Sequence, residues 1–269
     1  MITCDLHGRL GNNLFQIATL ISLSKELNVD FVLPEFTHAG HRGNIPVDLS
    51  LFSYDFKRGS CDIELEYNET MFEYKEIFPQ DKLKLGGFFQ SWKYFEDVKD
   101  QLISTYFTPS NEIIQSLSKY NIFPNSLGIS IRRGDYLMLQ QNHCVLDISY
   151  YQEAINTHFT DNINQIFIFS DDIDWCRQIF GDEVIYVQDS IGTQLFLMTK
   201  MKHLIMSNST FAWWGAYLNQ NGGIIISPDP WFGLNYEDKD TRDLYYPSWI
   251  KLNHNITQHP FTITPNMYD

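Results

Sequence analysis

The sequence predicts an α/β protein with two lobes that are built around parallel sheets. The chain has 269 residues, which is long for one compact domain and sufficient for two. From about residue 127, short apolar runs typical of strands alternate with amphipathic stretches typical of helices. Polar motifs follow several of these strands, at the edge of the sheet where α/β proteins bind ligands.

The N-terminal third contains one well-marked strand, loop and helix. An apolar run predicts a strand over Ile2–Leu6, glycines predict a loop over 7–12, and apolar periodicity predicts a helix over Asn13–Leu27. A second strand is predicted over Asp30–Leu33, where a proline follows. Residues 35–85 have few periodic signals, so we expect loops and short inserted elements there.

The C-terminal half alternates regularly between strands and helices. Strands are predicted over Leu127–Ile131, Gln165–Phe169, Glu183–Val187, His203–Met206 and Gly223–Ser227. Helices are predicted over Ser149–Phe159, Asp172–Phe180, Asp189–Met201 and Thr210–Leu218. A proline-flanked helix between 108 and 126 separates the two patterns, so we divide the chain into an N-terminal lobe, 1–115, and a C-terminal lobe, 116–269. The tail after Tyr236 could cross back over both lobes.

The composition argues against several classes of protein. A formal net charge of -14 disfavours binding to nucleic acid and strong attraction to an anionic membrane. The four cysteines are widely spaced and form no CxxC pair, which argues against a zinc knuckle and a dense disulfide framework. No apolar stretch approaches the length of a membrane helix. We therefore expect a cytoplasmic protein with at most peripheral association at the inner face of the membrane.

Two arginines, Arg132 and Arg133, are adjacent at the end of a predicted buried strand. They are the only neighbours among the seven arginines of the chain. Guanidinium groups bind phosphate oxygens bidentately, so a pair at a strand end could neutralise a diphosphate leaving group without a metal ion. In the alternative interpretation, one arginine pairs with Asp135 and the other is solvated.

A second polar motif, Ser207–Thr210, follows a predicted strand and opens the helix that contains Phe211. Its hydroxyl groups and the free N–H groups of a helix N-terminus could bind an anion. Ser209 or Asn208 could equally serve only as the N-cap of that helix.

A third polar motif places Asp171 and Asp172 between a predicted strand and a predicted helix. A carboxylate there could accept two hydrogen bonds from the edge of a guanine base, or it could cap the helix. Asp172 and Asp174 also match an acid-x-acid metal motif. Within one helical turn their side chains would project about 200° apart, which is an awkward metal clamp.

The glycine loop, from Gly8 to Asn13, partly matches a dinucleotide-binding fingerprint. It lacks the third glycine of GxGxxG and an obvious acidic partner, which argues against a hydride-transferring enzyme. Glycines allow the backbone to approach a ligand closely, and the Asn12 side chain could donate to a phosphate or sugar oxygen. A plain tight turn explains the same glycines.

Taken together and in order, these segments resemble bacterial α-1,2-fucosyltransferases of glycosyltransferase family eleven. The matching segments are 8–16, 87–95, 130–136, 169–176 and 207–215. The resemblance implies a GT-B-like fold of two Rossmann-like lobes, a GDP-fucose donor in the C-terminal lobe and a terminal galactose acceptor. It also implies inversion at the anomeric carbon and no metal or other cofactor. The chain departs from the family at Ser130, where a histidine is typical, at Arg9, where glycine is frequent, and at Asn13, where glutamine is frequent.

The resemblance and the residues together give a set of candidate roles. The candidate catalytic residues are Arg132, Arg133, Asp135 and Asn12. The candidate substrate-binding residues are Gly11, Asn13, His7, Arg9, Asp171, Asp172, Asn208, Ser209, Thr210 and Phe211. The proton acceptor is left open between Asp135 and His7. The expected partners are GDP-fucose and a galactose-containing glycan, with no nucleic acid.

The sequence is also compatible with two other functions. The chain could transfer fucose in another linkage or to another acceptor, including protein O-fucosylation, or use another GDP-sugar. It could also be a non-catalytic glycan-binding protein, since aromatic residues make up 15% of the chain and can stack on sugars. Stabilisation by GDP would separate a transferase from a lectin.

Overall fold

The protein has an α/β fold with parallel sheets, as the alternation of apolar patterns predicts. The structure, a computed structural model, describes residues 1–40, 43–159 and 163–256. Within them the strands are β1 (Thr3–Cys4), β2 (Phe36–His38), β3 (Asn44–Pro46), β4 (Leu65–Asn68), β5 (Leu83–Gly86), β6 (Ser126–Ile131), β7 (Gln165–Ser170), β8 (Ile185–Tyr186), β9 (His203–Ile205), β10 (Ile225–Asp229) and β11 (Ile250–Asn253). The helices are α1 (Leu10–Leu27), α2 (Lys99–Gln101), α3 (Asn111–Leu117), α4 (Ile148–His158), α5 (Ile173–Phe180), α6 (Ile191–Met198) and α7 (Thr210–Tyr217). None of these helices combines the length and the apolar character that a membrane span requires.

The larger sheet lies in the C-terminal half and has the strand order β11-β10-β9-β6-β7-β8. Its neighbouring strands are all parallel. Every residue of β6 is buried, as expected for a central strand that is covered on both faces. The chain runs outward from β6 to β7 and β8, then returns to place β9 on the other side of β6. This reversal creates a switch point between β6 and β9, where parallel sheets typically form a ligand crevice.

The smaller parallel sheet lies in the N-terminal half and has the strand order β1-β5-β4. The predicted strand over Asp30–Leu33 is wrong, because that segment makes only isolated bridges from Phe31 to Ile2 and from Leu33 to Arg58. A regular ladder does not form there because the segment changes partner: the Val32 N–H donates to the Ile2 carbonyl, whereas the Leu33 N–H donates to the Lys57 carbonyl. Helix α1 begins three residues before its predicted start at Asn13.

The segment 35–85, expected to be irregular, contains β2, β3, β4 and the start of β5. Strands β2 and β3 form an antiparallel pair, the one departure from parallel pairing in the described sheets. These strands have three or four residues each, and three of the four residues of β4 are exposed. Short, mostly exposed strands lack the apolar alternation that identifies a strand from sequence.

The larger of two hydrophobic clusters spans both halves and includes most of helix α1, whereas the smaller one lies within the C-terminal half. The ring of Phe15 lies 4.4 Å from Trp213 and 5.2 Å from Trp214, both on α7. Gly11 permits the close approach of the two helices, because a Cβ at this position would lie 2.5 Å from the backbone nitrogen of Phe211. The N-termini of α1 and α7 therefore meet directly.

The segment after Tyr236 contacts both halves of the chain. The Leu244 carbonyl accepts a hydrogen bond from the indole of Trp213, and the Tyr246 hydroxyl accepts one from Lys99. Strand β11 then pairs with β10 at the edge of the larger sheet. The division into lobes at 115/116 stays a prediction.

Candidate active site

A cleft of about 760 Å³ lies at the carboxyl ends of β6, β7 and β9 and at the N-termini of α1 and α7. One wall comes from the C-terminal half and the other from the N-terminal half. Eleven of the predicted site residues line it: His7, Arg9, Gly11, Asn12, Arg132, Asp135, Asp171, Asn208, Ser209, Thr210 and Phe211. The cleft thus gathers motifs that are up to 200 residues apart in sequence around the switch point of the sheet.

Arg132 is held in the cleft wall between two carboxylates. Its Nη2 lies 2.6 Å from Oδ1 of Asp135, and its Nη1 lies 2.8 Å from Oδ2 of Asp171. Burial acts to lower the pKa of the guanidinium, but Asp171 and Asp135 outweigh burial and raise the pKa above its ordinary value. Arg9 contacts the other oxygen of Asp135 at 3.3 Å, so Asp135 bridges two guanidinium groups.

Steric crowding explains why a glycine, Gly134, follows the arginine pair. A Cβ on Gly134 would overlap the carboxylate of Asp171. The same carboxylate accepts a hydrogen bond from the backbone N–H of Arg133 at 2.9 Å. Asp171 therefore ties the loop after β6 to the end of β7, which fixes the direction of the Arg132 side chain.

Arg133 does not line the cleft, and neither does its partner Asp172. Arg133 is only 8% exposed. Its Nε donates to Oδ2 of Asp172 at 3.1 Å, and its guanidinium lies 4.1 Å from the ring centre of Trp175. Its Nη1 is buried with no hydrogen-bond partner among the described residues. Asp172 is the N-cap of α5, where it accepts the N–H of Trp175, so both charged groups hold α5 on the sheet.

The N-terminus of α7 forms the floor of the cleft. Ser209 is the N-cap and accepts the N–H of Phe211 at 3.3 Å. The Thr210 hydroxyl donates to Oδ1 of Asn12 at 2.9 Å, and Gln90 donates to the same oxygen at 3.1 Å. Asn12 therefore joins groups from both halves of the chain at one point of the cleft.

Two further polar residues of this region are buried beside the floor. The amide nitrogen of Asn208 donates to the carbonyls of Cys144 and Trp231, while its Oδ1 has no partner among the described residues. Ser130, which stands where the family has histidine, shares a hydrogen bond of 3.1 Å with the Ser207 hydroxyl. Ser130 thus supports the junction of β6 and β9 rather than carrying an ionisable group.

The N-terminal wall presents His7 but not Asn13. Among the described residues, no group is hydrogen-bonded to the ring nitrogens of His7, whose ring contacts His38 and Phe88. Asn13 is 4% exposed and does not line the cleft. Its amide nitrogen donates to the His7 carbonyl and to Thr37, so it supports the loop that carries His7.

An aromatic shelf in the cleft was missed by the sequence reasoning. The rings of Tyr136 and His143 stack with centres 4.5 Å apart and planes 13° apart, and Phe232 and Tyr236 pack against His143. Burial lowers the pKa of His143, Asp135 acts to raise it, and Arg132 adds to the lowering. His143, Phe232 and Tyr236 come from segments that show no motif, and only Tyr136, at the end of the matching segment 130–136, could have signalled the shelf.

Within residues 1–40, 43–159 and 163–256, no three side chains of His, Cys, Asp or Glu are grouped so that they could hold a metal ion. The charges in the cleft wall instead form an alternating cluster of two arginines and two aspartates, Arg9, Asp135, Arg132 and Asp171. The cleft therefore offers fixed guanidinium groups to an anionic ligand.

Comparison with known proteins identifies relatives of the chain. A family model described as glycosyl transferase family 11 matches residues 1–253. An alpha-1,2-colitosyltransferase of Escherichia coli is 33% identical in an alignment 181 positions long that covers 62% of this chain and 61% of that relative. Galactoside alpha-(1,2)-fucosyltransferase 1 of Bos taurus is 28% identical over 280 residues, covering 95% of this chain and 77% of that protein.

Solved structures include proteins with the same fold. A crystal structure of NodZ alpha-1,6-fucosyltransferase soaked with GDP-fucose matches with a TM-score of 0.56. The match covers 85% of this chain and 95% of that chain at 11% sequence identity. At this identity the likeness concerns the fold alone, and it agrees with the predicted GT-B-like class.

Proposed function

Because this chain belongs to glycosyl transferase family 11, we propose that it transfers L-fucose from GDP-β-L-fucose to the 2-hydroxyl of a terminal galactose. The proposed transfer inverts the anomeric carbon and needs no metal ion. The observation that carries the proposal is Arg132, a guanidinium fixed between Asp135 and Asp171 in the wall of the cleft. The choice of sugar and linkage is supported by the name of the Bos taurus relative, which is a galactoside alpha-(1,2)-fucosyltransferase.

The donor diphosphate is proposed to lie between Arg132 and the N-terminus of α7. Both features line the cleft, at the ends of the adjacent strands β6 and β9. Arg132 offers a planar fork that matches phosphate oxygens, and a helix N-terminus offers N–H groups together with a partial positive charge. Thr210 and Ser209 add hydroxyl groups at the same place.

In the proposed reaction, the galactose 2-oxygen bonds to the anomeric carbon of fucose from the face opposite GDP. The bond from that carbon to the β-phosphate oxygen breaks, and the electron pair leaves with GDP. Negative charge therefore grows on the β-phosphate as the transition state forms, where fixed donors stabilise it most. Arg132 supplies that charge without reorganisation, because Asp135 and Asp171 already hold it in place.

Arg133 and Asp172 receive a supporting role in this proposal. Their ion pair and the packing of Arg133 on Trp175 hold the first turn of α5 at the end of β7. The backbone N–H of Arg133 also holds Asp171, which in turn holds Arg132. Asn13 similarly supports the loop of His7 from below.

The proton released by the acceptor is proposed to go to His7. Its imidazole lines the cleft on the N-terminal wall, and its ring nitrogens are not engaged by any described group. Both oxygens of Asp135 face guanidinium groups, which suits a residue that holds Arg132 and Arg9. Replacement His7→Ala should lower kcat by about 10²–10⁴, and added imidazole should restore part of it. A near-normal kcat in His7→Ala would exclude this role, and so would a low kcat that imidazole does not raise.

A second candidate function is transfer of a different deoxysugar. It is favoured by the 33% identity to a protein named as an alpha-1,2-colitosyltransferase. The discriminating experiment incubates the purified chain with GDP-fucose, GDP-colitose or GDP-mannose and with galactosides that are free or blocked at the 2-hydroxyl. We expect one α-1,2-linked fucosyl product, identified by NMR, and no product from the blocked acceptor.

Two further measurements separate the parts of the proposal. GDP at about 100 times its Kd should stabilise the folded chain by about 2.7 kcal/mol, whereas a lectin would respond only to glycan. Transfer in the presence of EDTA should match transfer without it. Loss of activity in EDTA that Mn²⁺ restores would overturn metal independence but not the assignment of donor and acceptor.

A further inference from the structure

An exposed aromatic ring, Phe88, stands in the N-terminal wall of the cleft. Its residue is 42% exposed although it lines the cavity, and its ring centre lies 6.1 Å from that of His7. The preceding and following residues, Gly87 and Phe89, are bound into the body of the protein. An isolated exposed phenylalanine needs no explanation, but one that a rigid turn presents to a catalytic cleft does.

The turn that carries Phe88 has an unusual backbone conformation. Gly87 has φ +149° and Phe89 has φ +52°, so two of three successive residues have positive φ. A bulky residue with positive φ is an outlier that persists only when its surroundings impose it. Here the Phe89 side chain is fully buried in the core, which fixes the residue from one side.

Glu69 and Gln16 impose this conformation from the other sides. The Glu69 carboxylate accepts the backbone N–H of Phe88 at 2.8 Å and that of Phe89 at 3.1 Å. The buried amide of Gln16, on α1, donates to the Gly87 carbonyl at 2.8 Å. A Cβ at Gly87 would overlap Glu69, so the turn fits only with glycine there. Three polar anchors and one buried ring thus hold Phe88 with its ring toward the cleft.

We propose that Phe88 is the platform on which the acceptor galactose stacks, with Glu69 as its positioning residue. This inference rests on the proposed function. Galactose carries the C–H groups of carbons three, four and five on one face, because its 4-hydroxyl is axial and points to the other face. An aromatic ring packs well against such an apolar face, and the hydroxyls at the sugar's rim remain free for other contacts. Glucose, with an equatorial 4-hydroxyl, offers a less continuous face.

The position of Phe88 agrees with the rest of the cleft. It lines the same cleft as Arg132, the proposed donor-binding residue, and lies on the N-terminal wall next to His7, the proposed proton acceptor. A sugar stacked on Phe88 would therefore present its edge to both. Gln90, two residues further on, hydrogen-bonds Asn12 and connects the turn to the N-terminus of α7.

The test compares Phe88→Ala and Phe88→Trp with wild type, using lactose and cellobiose as matched acceptors with terminal galactose and glucose. For Phe88→Ala we expect the KM for lactose to rise about tenfold, which corresponds to about 1.4 kcal/mol. The preference for lactose over cellobiose should also shrink. Phe88→Trp should keep both the low KM and the preference, since it keeps an aromatic face.

Three controls assign the effect to the acceptor. Hydrolysis of GDP-fucose without acceptor and the rise in melting temperature with GDP should be unchanged in Phe88→Ala. Phe78→Ala, at a phenylalanine that is 75% exposed and outside the cleft, should match wild type in every assay. Glu69→Gln, which loses one accepting oxygen, should raise the KM for lactose while leaving kcat and GDP binding in place.

The possible results are distinguishable. If Phe88→Ala keeps a KM for lactose within twofold of wild type, or loses GDP stabilisation to the same degree as acceptor affinity, the platform is overturned. A fall in kcat with unchanged KM in Glu69→Gln would overturn the positioning role. If wild type itself transfers no fucose to any galactoside, the proposed function fails independently of Phe88.

Discussion

Replacing Arg132 by alanine removes a guanidinium that lines the cleft and is held between two carboxylates. In the proposed reaction this guanidinium stabilises the negative charge that develops on the β-phosphate. A full charge 4 Å from a phosphate oxygen is worth about 4 kcal/mol at an effective dielectric constant near 20. Asp135 and Asp171 offset part of this attraction in the ground state, at 2.6 Å and 2.8 Å from the guanidinium. We therefore expect a net loss near 3–4 kcal/mol, or about 10²–10³ in kcat, as for other oxyanion-stabilising donors.

The structure also indicates that the variant stays folded. The Arg132 side chain is 22% exposed, and its two carboxylate partners are 29% and 27% exposed. Partly exposed ion pairs of this kind contribute about 1 kcal/mol or less each. Asp135 retains Arg9 and Asp171 retains the N–H of Arg133. The circular dichroism spectrum should therefore be unchanged and the melting temperature should fall only slightly.

The assay measures fucose transfer at saturating acceptor over a range of GDP-fucose concentrations. Arg132→Lys keeps the charge without the planar fork and should fall between wild type and Arg132→Ala. Arg132 lies 5.4 Å from the ring centre of Tyr136, and Arg177 lies 4.6 Å from that of Tyr186. Because Arg177 does not line the cleft, Arg177→Ala is the matched control. A kcat for Arg132→Ala within threefold of wild type would refute the reasoning.

Three other substitutions follow from the same geometry. Arg133→Met should lower the free energy of unfolding by about 2–4 kcal/mol in urea titrations, because it removes a charged hydrogen bond to Asp172 and packing on an indole. Gly11→Ala should destabilise by about 1–3 kcal/mol through overlap with the backbone of α7, only partly offset by the better helix propensity of alanine. His143→Phe should flatten the dependence of folding stability on pH. Burial lowers the pKa of His143 in the folded state, so the wild-type protein loses stability as the pH falls below about 6.5, by at most about 1.4 kcal/mol per pH unit. This loss ends once the pH is below the pKa of His143 in the folded state.

For each substitution, a different result would contradict the expectation. An Arg133→Met variant with wild-type stability and lost transfer would place Arg133 in the reaction instead of in the support of α5. A Gly11→Ala variant that is more stable than wild type would show that the two helices can move apart. For His143→Phe, a slope equal to that of wild type would mean that another group, such as His203, whose pKa burial also lowers, accounts for the acid sensitivity.

The fold and the ligand-binding edge were predictable because parallel sheets make strong local signals. Strand β6 is buried along its whole length and is rich in apolar residues, and a polar motif follows it, as polar motifs also follow β7 and β9. Motifs at the ends of adjacent parallel strands must meet, so the sequence could bring Arg132, Asp171 and Ser209 together without coordinates.

The sequence reasoning did not separate neighbouring residues that point in different directions. Successive residues of an extended segment point to opposite sides, so Arg132 faces the cleft and Arg133 faces α5. Asn12 and Asn13 are about 100° apart on a helix, and only Asn12 reaches the cleft. Counting adjacent residues as a pair overlooked this alternation, which the predicted secondary structure already contained.

The missed residues depend on contacts that are distant in sequence. Phe88 is presented by a turn that needs Glu69 and Gln16, and His143 is placed by stacking on Tyr136 and by Phe232. None of these relations leaves a periodic pattern along the chain. They follow from packing, which the sequence encodes only collectively.

The contact at Gly11 also constrains how the molecule can move. Helices α1 and α7 touch there without space for a methyl group, and Asn12 is hydrogen-bonded to Thr210 beside it. Enzymes of two halves commonly admit substrates by hinge motion, but here the halves share a close contact at the base of the cleft. Any relative motion of the two halves would therefore pivot near that point, so that the rim of the cleft would move more than the groups at the helix N-termini. Such a pivot would let the proposed glycan acceptor enter and leave while the groups proposed to bind the diphosphate stay together.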